Sequence, residues 1–357
     1  MSKGPEALVR DEVRALKAYH VPPAEGLVKL DAMENPYTLP PELAAELGER
    51  LRRVAVNRYP DPAAPRLHAR IREAMGIPGQ LGVMLGNGSD ELLQMISLAL
   101  AKPGAVALGV DPSFVMYRMS AIAAGMRYEA VPLRPDFSLD EEALLAAIRR
   151  HRPALTWLAY PNNPTGNLFP REAILRVVDA SPGLVVVDEA YYAFSGGATL
   201  LPEVGRHPNL LLVRTVSKLG LAGLRLGVAI GPRDWMEELE KLRMPYNVNV
   251  LTAAAAELVL AHREVLEAQT ARIVEDRARL EHALDHVPGI ERFPSAANFV
   301  LVRVADAPRA FEGLKERGIL VKTLHGSHPL LANCLRLTVG TPDENTRMLE
   351  ALATALG

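Results

Sequence analysis

Between residues 80 and 230, short apolar runs of strand length alternate with amphipathic stretches of helical period. "GLVVVD" (183–188) carries no polar residue until its end, the pattern of a strand buried on both faces. Both faces of a strand are covered where helices pack on each side of a parallel sheet. The runs at 83–85, 106–110, 155–159, 184–187, 210–213 and 227–230 are the candidate strands. Between two of them, "SDELLQMISLALA" (89–101) opens on a Ser/Asp cap and closes before Pro103-Gly104, as a helix does. The expected fold class is therefore α/β, with a mostly parallel central sheet flanked by helices.

After Asn249 the pattern changes. A helical region runs over 252–285 with a break near His262, and its Glu/Arg-rich positions read as a solvated face. Beyond it, "NFVLVRV" (298–304), "GILVK" (318–322) and "CLRLTV" (334–339) read as strands around the helix "APRAFEGLKERG", forming a smaller α/β unit. The first 45 residues lack the alternation and are assigned by fold analogy to that unit, giving a large domain over 46–262 and a small one from 1–45 with 263–357. With 49% hydrophobic residues, 23% charged and a net charge of −2, the chain should be a soluble globular protein with neither nucleic acid nor a membrane as partner. No stretch approaches the ~20 apolar residues of a membrane span. The single cysteine, Cys334, reads as a buried thiol in a reducing compartment, so the cytoplasm is the expected location.

Three candidate strands end in polar residues of different chemistry. "LTWLAY" leads into "PNNPTG" with Asn162 and Asn163, "LVVVD" ends at Asp188 before "EAYY", and "LLLVRTVSK" ends at Lys218. In a parallel sheet all C-terminal strand ends share one edge, where the ligand crevice of open α/β folds lies. "VMLGNGSDELL" (83–93) adds a strand, a glycine turn and a helix start, so the N–H groups around Gly88, Ser89 and Asp90 suit a phosphate. Thr215, Ser217 and Arg225 can donate to the same anion.

A phosphate cup, an amine, a buried acid and an amide together match pyridoxal 5'-phosphate. Its aldehyde forms a Schiff base with lysine, and its ring nitrogen stays protonated beside an anion. Asp188 is the candidate anion, Asn163 and Tyr191 the partners of the phenolic oxygen, and Lys218 the amine that later carries a proton between substrate and cofactor. Singly, each of these is more simply a solvated lysine, a cap or a turn; their order on consecutive strand ends is what argues for a site. A dinucleotide site is the main rival, since Gly86 and Gly88 follow a strand and Asp111 ends the next, but Glu91 occupies the third glycine position and Lys218 is left without a task. His325 and His328 have no Cys/His partners at zinc spacing and read as a surface loop, so no metal is expected.

From about Leu30 to Leu352 the chain resembles the fold-type-I, class II pyridoxal-phosphate-dependent aminotransferases, and more narrowly the histidinol-phosphate aminotransferase group. "PNNPTG", "DEAY" and "SK" followed by "GLR" mark the superfamily, while "MENPY" (33–37), "RYPDP" (58–62), "PYNVN" (245–249) and "LRLTVGTPDEN" (335–345) point to the narrower group. The resemblance implies a Schiff-base role for Lys218, Tyr117 stacked on the cofactor ring, and Ser89, Asp90, Thr215, Ser217 and Arg225 around the phosphate. It implies that Tyr59 reaches the phosphate of a neighbouring subunit, hence a homodimer. It assigns Arg336 to the anionic group of the substrate, with Tyr19, Asn35 and Tyr246 lining the pocket and Lys322 standing where many relatives have a second arginine.

The activity so implied is ping-pong transamination between small-molecule substrates: histidinol phosphate with 2-oxoglutarate gives imidazole-acetol phosphate with glutamate. An aromatic or other amino-acid aminotransferase, a lyase resembling threonine-phosphate decarboxylase, and a cofactor-holding protein without turnover are the alternatives.

Overall fold

A computed structural model describes residues 4–18 and 21–357, so the candidate Tyr19 lies outside the described residues. Seven strands form the main sheet: β1 (Gly82–Gly86), β2 (Val106–Asp111), β3 (Arg127–Pro132), β4 (Leu155–Ala159), β5 (Leu184–Asp188), β6 (Leu210–Thr215) and β7 (Gly227–Gly231). Their order is β1-β7-β6-β5-β4-β2-β3. Alternation along β5 explains its unbroken apolar sequence: Val185 and Val187 join the core on one face, Leu184 and Val186 that on the other.

The sheet departs from the sequence pattern in two places. β7 runs antiparallel to both its neighbours, whereas the other pairings are parallel. Its N-terminal end therefore lies at the edge where the other strands finish, and the chain leaving β6 returns to the same edge before entering β7, with Thr215 opposite Gly227. β3 has no counterpart among the candidate strands. It is the edge strand, mostly half-buried or exposed, and its sequence "RYEAVP" lacks the apolar run that marks the central ones.

The long helical region divides at a short turn over Leu260–His262, separating helices Val250–Val259 and Arg263–Leu284. A four-stranded antiparallel sheet orders Lys322–Thr323, Cys334–Thr338, Phe299–Arg303 and Glu291–Arg292. "GILVK" is thus not one strand. Ile319–Leu320 instead pairs in parallel with Val28–Lys29, which brings the segment around Asp31 beside the small sheet. Leu30 and Met33 pack there with Phe299, Leu337, Met348 and Leu352. Cys334 is fully buried, and burial raises its thiol pKa. Among the described residues no helix is long and apolar enough to cross a membrane, and no cluster of His, Cys, Asp or Glu could hold a metal ion.

Candidate active site

The carboxyl edge of the main sheet opens into a cavity of about 440 Å³, walled on the far side by the segment at 31–33 and the small sheet. Asp188, the last residue of β5, lines it and is 4% exposed. Tyr117 donates its hydroxyl to Asp188 Oδ2 at 2.8 Å, and the Ala190 N–H donates to Oδ1 at 3.0 Å. Burial nevertheless raises the Asp188 pKa to about 6, against the lowering effect of those two donors. Burial therefore makes the ionised carboxylate a costly charge.

Lys218 follows β6 on the short turn Ser217–Leu219 and donates to the Ala32 carbonyl at 3.1 Å. Burial, then the positive charge of Arg336, lowers its pKa to about 8. An amine with that pKa is substantially neutral, and hence nucleophilic and basic, slightly above neutrality. Tyr191 is buried, its ring 5.8 Å from Lys218 Nζ and edge-on to Phe299.

The candidate phosphate cup is built where β1, β6 and β7 meet. Gly88 opens helix Ser89–Leu100 at φ 87°, and a Cβ there would lie 2.5 Å from Arg225 Nη2. Gly227 allows the β7 backbone to touch the cup, since its Cβ would lie 2.5 Å from the Ser89 nitrogen. Arg225 reaches Asp90 at 3.3 Å, while the Thr215 and Ser217 hydroxyls lie 2.8 Å apart. Glu91, the residue that spoils a dinucleotide fingerprint, accepts from the Asn87 N–H at 2.6 Å and from Asn247 Nδ2 at 2.8 Å. It fixes the loop in place.

On the opposite wall Arg336 is buried, donating to Asn163 Oδ1 at 2.7 Å and to the Asp31 carbonyl at 2.8 Å. Lys322 is its cross-strand partner and also lines the cavity. Directly opposed residues share a face of a sheet, so the two cations stand side by side.

Several sequence candidates lie elsewhere. Asn162 is turned into its own loop, donating to the Pro112 carbonyl at 3.0 Å and Thr165 Oγ1 at 2.7 Å, so only Asn163 of the pair faces the cavity. Asn35 does not line the cavity; it bonds Gln269 Oε1 at 2.9 Å and the Leu219 carbonyl at 3.2 Å, tying the N-terminal segment to the lysine turn. Tyr246 is likewise absent from the walls, because it stacks on Tyr59 with ring centres 4.5 Å apart, and Tyr59 is 80% exposed. Tyr117 lines the cavity with one ring face stacked on Trp157 at 5.2 Å.

Two features escaped the sequence reading. Asp31 lines the cavity beside Arg336 and is 5% exposed; an acid between Leu30 and Ala32 in a strand-like stretch was its only signal. Behind the edge, Glu189 and Arg214 form a fully buried ion pair at 2.8 Å, with Arg214 also 4.1 Å above the Tyr192 ring. This pair joins the ends of β5 and β6 immediately next to Asp188 and Thr215.

An anion cup, an amine of depressed pKa and a buried acid fit pyridoxal phosphate. The comparisons agree in kind. The family model described as "Aminotransferase class I and II" matches residues 25–352. A histidinol-phosphate aminotransferase from Chromobacterium violaceum is 54% identical over 347 residues, covering 97% of each chain. One from Ralstonia nicotianae is 54% identical over 98% of this chain and 94% of its own. The crystal structure of histidinol-phosphate aminotransferase from Sinorhizobium meliloti, in complex with pyridoxal-5'-phosphate, superimposes with a TM-score of 0.87 at 25% identity and 98% coverage of both chains. With the family model spanning nearly all of the described chain and these relatives aligned end to end, the chain belongs to the class I and II aminotransferases.

Proposed function

We propose that the chain transfers the amino group of histidinol phosphate to 2-oxoglutarate, forming imidazole-acetol phosphate and glutamate, with pyridoxal phosphate as cofactor. The observation that carries this reading is the pairing of Arg336 with Lys322 on the wall facing Lys218 and Asp188. Two adjacent cations suit a phosphate dianion, and the planar fork of Arg336 also serves the carboxylate that replaces it in the second half-reaction. The curated relatives above, named for this activity, support it.

Pyridoxal phosphate, when bound, supplies an aldehyde for the substrate's amino group and a conjugated ring that accepts the electron pair left at Cα. Ser89, Asp90, Thr215, Ser217 and Arg225 hold its phosphate in this reading. Asp188 holds a proton on the ring nitrogen, and Asn163 and Tyr191 bond the ring's phenolic oxygen. Lys218 Nζ takes the proton from the substrate's Cα, a task for which its lowered pKa fits it. Arg336 and Lys322 fix the distal anion so that the Cα–H bond faces that amine.

The same reading makes the chain a cytoplasmic homodimer whose large part spans 46–262 and whose small part joins 1–45 to 263–357. Tyr59 is exposed and does not line its own cavity, which supports its assignment to the partner's phosphate cup. The test is an absorbance titration of the cofactor-loaded protein. Histidinol phosphate should bleach the lysine-linked form and 2-oxoglutarate restore it, with phenylalanine far less effective. Failure to cycle refutes the reading.

A further inference from the structure

Of the three acids lining the cavity, two have evident tasks. Asp188 is bonded by Tyr117 and Ala190, and Asp90 is paired with Arg225. Asp31 is the third. It is 5% exposed, and its Oδ1 is buried without a hydrogen-bond partner among the described residues. Among the described residues its nearest cation, Lys29 Nζ, stands 3.9 Å away, beyond hydrogen-bond reach, and is itself bonded to Glu34. A buried carboxylate oxygen without a donor is expensive, and such a group in a binding cavity marks the place of a donor that arrives with a ligand.

The position of Asp31 restricts that donor. Its own carbonyl accepts from Arg336, and the next carbonyl, of Ala32, accepts from Lys218, so Asp31 lies between the reacting amine and the anion-binding wall. Resting on the proposed function, the choice among substrate groups is short. In histidinol phosphate the phosphate is an anion and the amino group is consumed in the reaction. The imidazole N–H is the one remaining donor. Glutamate offers a second carboxylate instead, which Asp31 repels.

We infer that Asp31 accepts a hydrogen bond from the imidazole N–H of the phosphorylated amino donor and thereby sets the preference of the site for a ring-bearing donor over glutamate. One charge-assisted hydrogen bond of this kind corresponds to roughly a 10- to 100-fold difference in efficiency.

The test compares single-turnover kcat/KM of the cofactor-loaded wild type and Asp31→Asn with three donors: histidinol phosphate, phenylalaninol phosphate and glutamate. Phenylalaninol phosphate keeps the phosphate and amine but has no ring N–H. Wild type should favour histidinol phosphate over phenylalaninol phosphate at least tenfold. In Asp31→Asn that ratio should collapse toward one, while the glutamate half-reaction becomes faster. A calorimetric titration of histidinol phosphate against each protein gives a readout independent of turnover, with weaker binding expected for the variant. Equal loss on all three donors would mean that Asp31 only supports the backbone beneath Arg336 and would overturn the inference. Should Asp31→Asn fail to fold, the wild-type comparison still decides, because equal efficiency on the two phosphate esters leaves Asp31 no ring donor to accept from. A wild type inactive on both esters but active on glutamate would instead defeat the proposed function, and this inference with it.

Discussion

Replacing Asp188 by asparagine separates what this carboxylate does for the cofactor from what it does to the fold. Burial lifts its pKa from 3.8 to about 6, although the Tyr117 hydroxyl and the Ala190 N–H both favour the charged form. A shift of that size corresponds to about 3 kcal/mol against the folded state wherever the group is ionised. The folded chain binds the extra proton between pH 3.8 and about 6, so the penalty is complete above pH 6 and is relieved as pH falls toward 3.8. Asparagine retains the shape and can still accept from Ala190, but it carries no charge. Cofactor-free Asp188→Asn should therefore melt higher than cofactor-free wild type at pH 8. With an unfolding entropy of ~2.1 cal/mol/K per residue over 357 residues, the difference is about 4 °C. It should shrink toward zero between pH 6 and pH 4. In turnover the order reverses, because the variant has no anion opposite the pyridine nitrogen, and a loss of at least about a hundredfold is expected. Scanning calorimetry across pH, with parallel assays, checks both halves. A cofactor-free variant that melts lower at pH 8, or a difference insensitive to pH, would refute the reasoning.

The Lys218 amine, with its pKa near 8, should capture pyridoxal phosphate faster as pH rises from 7 to 9, with a midpoint near 8; a midpoint near 10.5, the ordinary lysine value, would contradict this. Gly88→Ala places a Cβ 2.5 Å from Arg225 Nη2 at a φ of 87°, so the affinity for cofactor should fall roughly tenfold or more in a fluorescence titration, and unchanged affinity would count against the cup as described. Glu189→Gln leaves Arg214 charged and 2% exposed without its counter-ion, and chemical denaturation should show a loss of about 3–5 kcal/mol. A loss below about 1 kcal/mol would mean that water reaches the pair.

Lys218, Asp188 and Asn163 were legible in the sequence because each ends or closely follows an unbroken apolar run, and parallel strands share one edge. For Arg225 the sequence lacks the feature that brings it to the candidate cup: only the reversed direction of β7 returns the chain to that edge, and a five-residue apolar run carries no sign of strand direction. The choice between Asn162 and Asn163 was equally hidden. They are neighbours of the same type, and what separates them is the Pro112 carbonyl, 50 residues away, which claims the first. Asp31 illustrates the other limit, since the contact that places it beside the site spans 305 residues, from Arg336 to its own carbonyl. β3 was missed because an edge strand need not be apolar on both faces.

On the proposed function, the arrangement of charge around Lys218 would couple substrate binding to catalysis. Arg336 is the largest charge effect lowering the pKa of the lysine, second only to burial. In the proposed reading a substrate anion seated on Arg336 would cancel much of that field and raise the pKa of the lysine, whereas the empty pocket keeps a larger share of the amine neutral and nucleophilic. Arg336→Met tests this without touching the lysine. Loss of the guanidinium should move the midpoint of the cofactor-capture profile above 8 and abolish any further rise on adding phosphate, whereas in wild type phosphate should raise the midpoint. If the midpoint stays where it is in the variant, burial alone sets the basicity of Lys218, and the arginine binds substrate without tuning the base.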